Sequence, residues 1–225
     1  MTTPWALRLH AAGPLEIYYG PFEYVNAAAR LVIVGITPSQ TETVAAFERL
    51  ARALADGLNR HDALRQVKQQ ASFVGLRGNL AAMLDGLDLP RYLGLTSTAE
   101  LFSGQRAELL HPTAVVRDPV LWRGANYSGH NPPLLRSPAL RHYLDDVLAP
   151  ELQSVPHALV VPLGQCVSAA LQRLVAHGRL DPDRCLFGFP HPSGANARRY
   201  TQYRAVQPTL RQAVADWYAP GTYFP

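Results

Sequence analysis

The chain has 225 residues, 48% hydrophobic and 17% charged, the composition of a soluble globular protein rather than a disordered one, with enough apolar mass for a full core. No apolar run has the length of a membrane span. The opening MTTPWALRLHAAG lacks the basic-then-apolar order of a secretory signal, so a cytoplasmic protein is expected. The formal net charge is +4, and apart from Lys68 every positive side chain other than histidine is an arginine. That bias is either a habit of composition or a supply of planar, bidentate phosphate contacts. The two cysteines, Cys166 and Cys185, lie in apolar contexts and read as buried free thiols. No His/Cys spacing suggests a metal or an iron–sulfur cluster, so neither a metal nor a cofactor is expected.

In chain order, the first buried strand is Leu31–Gly35, whose unbroken hydrophobicity suits a strand covered on both faces. A helix follows over Thr43–Leu58 and another over Gly78–Leu87. The second strand runs from Leu109 to Val116. Arg117 to Pro138 then forms a long loop rich in Gly, Asn and Pro, of a length that in a compact domain is usually functional. A helix over Ser137–Val147 leads to the third strand, Ala158–Pro162, and then to a helix over Gln165–His177. The fourth strand is Cys185–Phe189. A last helix covers Thr201–Tyr218, and the tail from Pro220 to Pro225 reads as irregular. Strands alternating with helices predict one domain over 1–225, with its core at about 25–215. The expected fold is a three-layer α/β/α sandwich around a mainly parallel, four-stranded sheet. Ligands of such a sheet bind beyond the carboxyl ends of the strands, which singles out the loops after Gly35, Val116, Pro162 and Phe189.

Two of those loops carry unusual chemistry. The first reads VGITPSQ (Val34 to Gln40), a strand running into Gly-x-x-Pro. The last reads FGFPHPSGAN (Phe187 to Asn196) and holds an imidazole, His191, between two prolines that restrict its neighbours. The pair, in this order with the SFVG segment around Phe73, the strand pieces LLH and AVVR, and VPLGQ (Val161 to Gln165), resembles the uracil-DNA glycosylase superfamily. The resemblance covers roughly 25–215 and implies the sandwich fold named above.

It also implies an activity: extrusion of a nucleotide from DNA and hydrolysis of its N-glycosidic bond, leaving an abasic site. His191 would donate a hydrogen bond to the departing base, Thr37 would orient water, and Glu42 is the nearest carboxylate able to act on it. Glu42 also suits a helix N-terminal cap, and Glu23 is a second candidate carboxylate. Phe73 would stack on the base, with Ile36 and Pro38 beside it, while His111 or Asn126 would read its edge. Tyr127, His130 and Asn131 are rival readers. Ser193, Gly194, Ala195 and Asn196 would hold a DNA phosphate, helped by Arg198, Arg199 and Gln165. Ala195 and Asn196 are too small to wedge into a duplex, so single-stranded or already weakened DNA is also an expected substrate.

The altered positions at Thr37 and His111 leave the excised base open: uracil, a deaminated purine or a modified pyrimidine, in repair or in defence against phage with modified DNA. No lysine sits in a lyase motif, so the enzyme would be monofunctional. A monomer is expected, with DNA as the partner and no membrane. Two other readings stay open at this point: a DNA-binding protein of the same fold without hydrolysis, and a hydrolase of nucleosides or other small molecules.

Overall fold

The computed structural model describes residues 7–219; the irregular tail expected from Pro220 onward and the first six residues lie outside them. The chain opens with an antiparallel hairpin, β1 (Arg8–Ala12) and β2 (Leu15–Tyr18), and then enters the buried β3 (Leu31–Gly35). Two helices follow, α1 (Gln40–Ala55) and α2 (Arg60–Ala71), then α3 (Arg77–Asp85), α4 (Leu89–Leu93) and α5 (Glu100–Ser103). Strand β4 (Leu110–Ala114) precedes the short strands β5 (Val120–Trp122) and β6 (Ala125–Asn126). A nearly continuous helical stretch is built from α6 (Pro138–His142), a π-helical turn over Tyr143–Leu148 and α7 (Ala149–Gln153). The chain ends in β7 (Leu159–Pro162), α8 (Gln165–Ala176) and α9 (Arg199–Trp217).

The strands form two sheets, and this corrects the expected architecture. The larger sheet is four-stranded and antiparallel, in the order β1-β2-β5-β6, while the parallel sheet has three strands, in the order β4-β3-β7. The segment expected as a fourth parallel strand contributes one isolated bridge, Cys185 to Val160, after which the chain turns away. Gly188 at φ +90° is part of that turn, and Phe187 N–H already bonds to the nearby Cys185 carbonyl. A mainly parallel four-stranded core is therefore absent, and with it the resemblance to the uracil-DNA glycosylase superfamily is overturned. The antiparallel sheet was missed because its strands are short: β1 is largely exposed, and β5 and β6 lie inside the segment read as a loop.

The parallel sheet is covered on both faces, as unbroken hydrophobicity requires. Alternate residues of β3 divide between two cores. Val32 and Val34 join Leu15 and Ile17 of the antiparallel sheet and Leu140, Leu148 and Leu171 of the helices. Leu31 and Ile33 join Leu80, Met83, Leu210 and Trp217 on the opposite side. Side chains alternate along a strand, so a single five-residue run feeds two apolar layers. Asp118 ties the segment after the hairpin to the helical layer: its Oδ1 accepts from Gly20 N–H at 2.9 Å and its Oδ2 from the Tyr143 hydroxyl at 2.8 Å. Burial raises the pKa of this carboxyl, against the pull of those two hydrogen bonds. No helix among the described residues is long and apolar enough to cross a membrane.

Candidate functional site

A cavity of about 1710 Å³ opens where β3, β4 and β7 end. Its lining includes Ile36, Thr37 and Pro38 from the first loop, Thr113 and Ala114 from the end of β4, Gly164 and Gln165 after β7, and His191 from the last loop. The two loops singled out by their chemistry thus meet at one cleft. Parallel pairing accounts for this: Val34 lies opposite both Thr113 and Pro162, so the three strand ends are level and their loops leave from one edge.

Phe73 is held there by an unusual amount of structure. Its backbone adopts φ +57°, a conformation costly for a bulky residue. Its N–H donates to Glu42 Oε1 at 2.7 Å, and Arg77 donates to the carbonyls of Gln69, Gln70, Ser72 and Phe102 around the same turn. The ring lies over Gly35, where a Cβ would come within 3.0 Å of Phe73 Cε1. Gly35 ends β3 without a side chain, and the aromatic edge takes that space.

His191 is fixed by similar means. Its Nδ1 accepts from Ser193 N–H at 3.2 Å, which leaves the proton of the neutral ring on Nε2. Among the described residues Nε2 makes no hydrogen bond. Asn79 donates to the Pro192 carbonyl at 2.9 Å and Asn196 to the His191 carbonyl at 3.1 Å. Gly164, at φ +85°, leaves room for the ring, since a Cβ there would stand 3.1 Å from His191 Cβ. Burial lowers the His191 pKa, which favours the neutral imidazole with an available Nε2–H donor.

Other sequence-selected residues are used by the fold itself. The Thr37 hydroxyl lines the cavity but donates to the Asp118 carbonyl at 2.8 Å and accepts from Val120 N–H at 3.1 Å. Glu42 closes a capping box at the start of α1: its Oε2 accepts from Ser39 N–H and from the Ser39 hydroxyl, while Ser39 Oγ accepts from Glu42 N–H. Its other oxygen holds Phe73, so both oxygens are engaged. Asn126 lies in β6 at the rim, where its Oδ1 accepts from Gln40 N–H at 2.9 Å. Tyr127 and His130 also line the cavity. Glu23 lies away from it, bonded to Tyr19 and paired with Arg60 at 3.0 Å.

His111 requires a correction. It points into the core rather than the cavity, fully buried, and forms a cluster with Lys68 and Glu151. Its Nδ1 accepts from Asn26 N–H at 3.3 Å, so its Nε2–H donates to Glu151 Oε1 at 2.7 Å. Burial, reinforced by the Lys68 charge, lowers its pKa to about 4. For Glu151 burial acts upward, but Lys68 and the His111 hydrogen bond outweigh it and bring the carboxyl to about 2. Pro112, Thr113 and Ala114 of β4 do reach the cavity, and Thr113, two residues on, lies on the same strand face as His111. Direct alternation could not separate the two; only the depth of the cleft along β4 does.

Ser193, Ala195 and Asn196 line the cavity, whereas Gly194, Arg198 and Arg199 stand outside its lining. Arg198 is exposed, and Arg199 stacks over Tyr200 with its guanidinium 4.7 Å from the ring centre. Cys185 is buried, but Cys166 is only half-buried, lines the cavity and places its thiol 3.5 Å from the Gly129 carbonyl. Among the described residues no group of three His, Cys, Asp or Glu side chains is disposed to hold a metal ion.

The chain is 37% identical over 222 residues to YoxB of Bacillus subtilis (strain 168), described as an uncharacterized protein, across 97% of this chain and 86% of that one. The chain belongs to the YoxB family. No family model and no solved structure matches. The near end-to-end match with YoxB takes in both the antiparallel sheet and the cavity-forming loops.

Proposed function

We propose that the cavity takes a base extruded from nucleic acid and that the protein hydrolyses its N-glycosidic bond, as a monofunctional, monomeric DNA glycosylase of the cytoplasm. The observation that carries this reading is the neutral His191 ring with its Nε2–H unused, on the same cleft as the Phe73 ring. Both sit above the level ends of adjacent strands, on glycines that leave them space. When the C1′–N bond breaks, charge builds on the departing base, and a fixed donor is worth most where charge develops. Water adds to C1′, and its proton ends on the released base. Thr37 and Glu42 are both engaged in hydrogen bonds, so the reading rests on leaving-group stabilisation and assigns no general base.

Two further features support a nucleic-acid substrate. The cavity exceeds the roughly 300–1,000 Å³ of sites for small ligands. Its lining also carries three cationic side chains, Arg49, Lys68 and Arg117, against one carboxylate, Glu42. The free thiols suit a reducing compartment.

The test is strand cleavage by alkali after incubation with single- and double-stranded oligonucleotides bearing uracil, deaminated purines or modified pyrimidines. Base release by the native chain and a fall of about 100- to 1,000-fold in His191→Ala are expected, the cost of one such donor. No release from any oligonucleotide would sink the hydrolase. The occupied state of Thr37 and Glu42 favours a second reading, a protein that binds such DNA without cutting it. Salt-dependent binding with no product would establish that one.

A further inference from the structure

We propose that Arg117 anchors an anion subsite inside the cavity, one that takes a carboxylate or phosphoryl group carried by the substrate. The inference rests on reading the cavity as a base site and names what that base or its nucleotide must carry.

The charged side chains of the lining are already committed, with one exception. Both Glu42 oxygens accept hydrogen bonds. Lys68 donates to the Tyr24 carbonyl at 2.6 Å and pairs with Glu151 at 3.4 Å. Arg49 donates to Gln70. Arg117 is half-buried, lines the cavity, and makes neither a hydrogen bond nor an ion pair among the described residues. Its neighbour Asp118 feels the Arg117 charge but does not bond to it; the two carboxylate oxygens accept from Gly20 N–H and the Tyr143 hydroxyl instead.

The backbone fixes where this cation emerges. Val115 N–H and Val116 N–H bond to the Gly35 and Ile36 carbonyls, which carries β4 pairing up to the residue before Arg117. Arg117 therefore leaves the sheet beside the Thr37 turn. Nearby, the Thr113 hydroxyl is buried; it lies close enough to Glu151 to help keep that carboxyl ionised, yet makes no hydrogen bond of good geometry.

The unpaired guanidinium gives the chemistry of the missing partner. Lys68 and Arg117 repel one another across the cavity wall, and repulsion from Arg117 adds to burial in lowering the Lys68 pKa. With His111 neutral, Glu151 answers Lys68, while Asp118, the carboxylate that feels the Arg117 charge, makes neither a hydrogen bond nor an ion pair with it. A neutral base would leave the planar donors of Arg117 unmatched in a partly desolvated place, whereas a carboxylate or phosphoryl group would accept two of them side by side.

Calorimetric titration of the full chain tests this with three probes: sodium phosphate, a pyrimidine deoxynucleoside bearing a carboxyl at C5, and unsubstituted deoxyuridine. The expected result is that at least one anionic probe binds more tightly than deoxyuridine. Arg117→Gln should weaken that probe by about tenfold or more while leaving deoxyuridine unchanged, as loss of a charge-assisted contact requires. Arg117→Lys, which keeps charge but not the fork, should fall between, and it serves if the glutamine variant does not fold. Preference for the carboxylated nucleoside places the anion on the base; equal binding of phosphate places it on the nucleotide backbone.

Anionic probes that bind no better than deoxyuridine, or that bind the native chain and both variants alike, overturn the subsite. Arg117-dependent anion binding without any base release would leave the subsite standing and remove the hydrolase. Base release with anion binding indifferent to Arg117 would do the reverse.

Discussion

Glu42 is where a structural and a catalytic role can be separated by measurement. Replacing it with alanine removes the N3 half of the capping box at the start of α1, which costs about 1 kcal/mol. It also strips the acceptor from Phe73 N–H, a bond to a carboxylate worth about 1.5–3 kcal/mol, at a residue already held at φ +57°. The combined loss is roughly 2.5–4 kcal/mol, with both contributions removed by one truncation. In a chain of 225 residues that lowers the melting temperature by roughly 5–15 °C. Urea unfolding followed by circular dichroism reads the free energy, and near-ultraviolet signals report whether the aromatic turn has loosened. Glu42→Gln, which keeps one acceptor oxygen, should recover part of the loss. A stability change below about 0.5 kcal/mol in the alanine variant would refute the structural assignment, since surface changes away from such features stay within that range. Unchanged stability with abolished base release would make Glu42 the acting carboxylate instead.

The remaining expectations concern the buried cluster and the last loop. Glu151→Ala leaves Lys68 buried without its counter-ion and should cost about 3–5 kcal/mol in urea unfolding; a loss under about 1 kcal/mol would show that water reaches the amine. Acid should destabilise the fold in two overlapping stages. His111 sits at about 4 in the fold against 6.5 free, so its contribution is present above 6.5 and is lost as the pH falls from there toward 4. Glu151, at about 2 against 4.5, adds a loss between 4.5 and 2. A melting temperature flat from pH 7 to pH 4 would contradict the first stage, and one flat from pH 4.5 to pH 2 the second. Gly164→Ala forces a side chain onto φ +85° and to within 3.1 Å of His191 Cβ. It should reduce base release by a larger factor than its melting temperature predicts, and parallel activity and thermal measurements check the difference.

Sequence patterns revealed the buried strands β3, β4 and β7 because unbroken apolar runs mark a sheet covered on both sides. They also found the Gly-x-x-Pro turn and the proline-framed imidazole, which do share one cleft. Glu42 read as a helix N-terminal cap as readily as it read as chemistry, and the geometry uses it in a capping box with Ser39. What the patterns hid was long-range. Strand β1 pairs with β2 locally, but β2 finds β5 about a hundred residues later, and nothing in a three-residue strand such as Val120–Trp122 announces that partner. The run Cys185–Phe189 has the apolarity of a strand, yet a glycine with positive φ ends its pairing after one bridge. His111 and Lys68 were equally opaque, since a buried ionic cluster leaves no local periodicity when its members come from α2, β4 and α7.

The interior position of Lys68 has a practical use. It is the chain's sole lysine and is 1% exposed, so an acylating reagent directed at lysine side chains finds no target while the fold is closed. Each acylation at that nitrogen records one opening of the structure around α2, read by mass on the peptide that holds Lys68. Slow modification under dilute reagent would time the native state's excursions without a mutation, a probe or a denaturant, and a tight ligand in the neighbouring cleft would lengthen the interval between them.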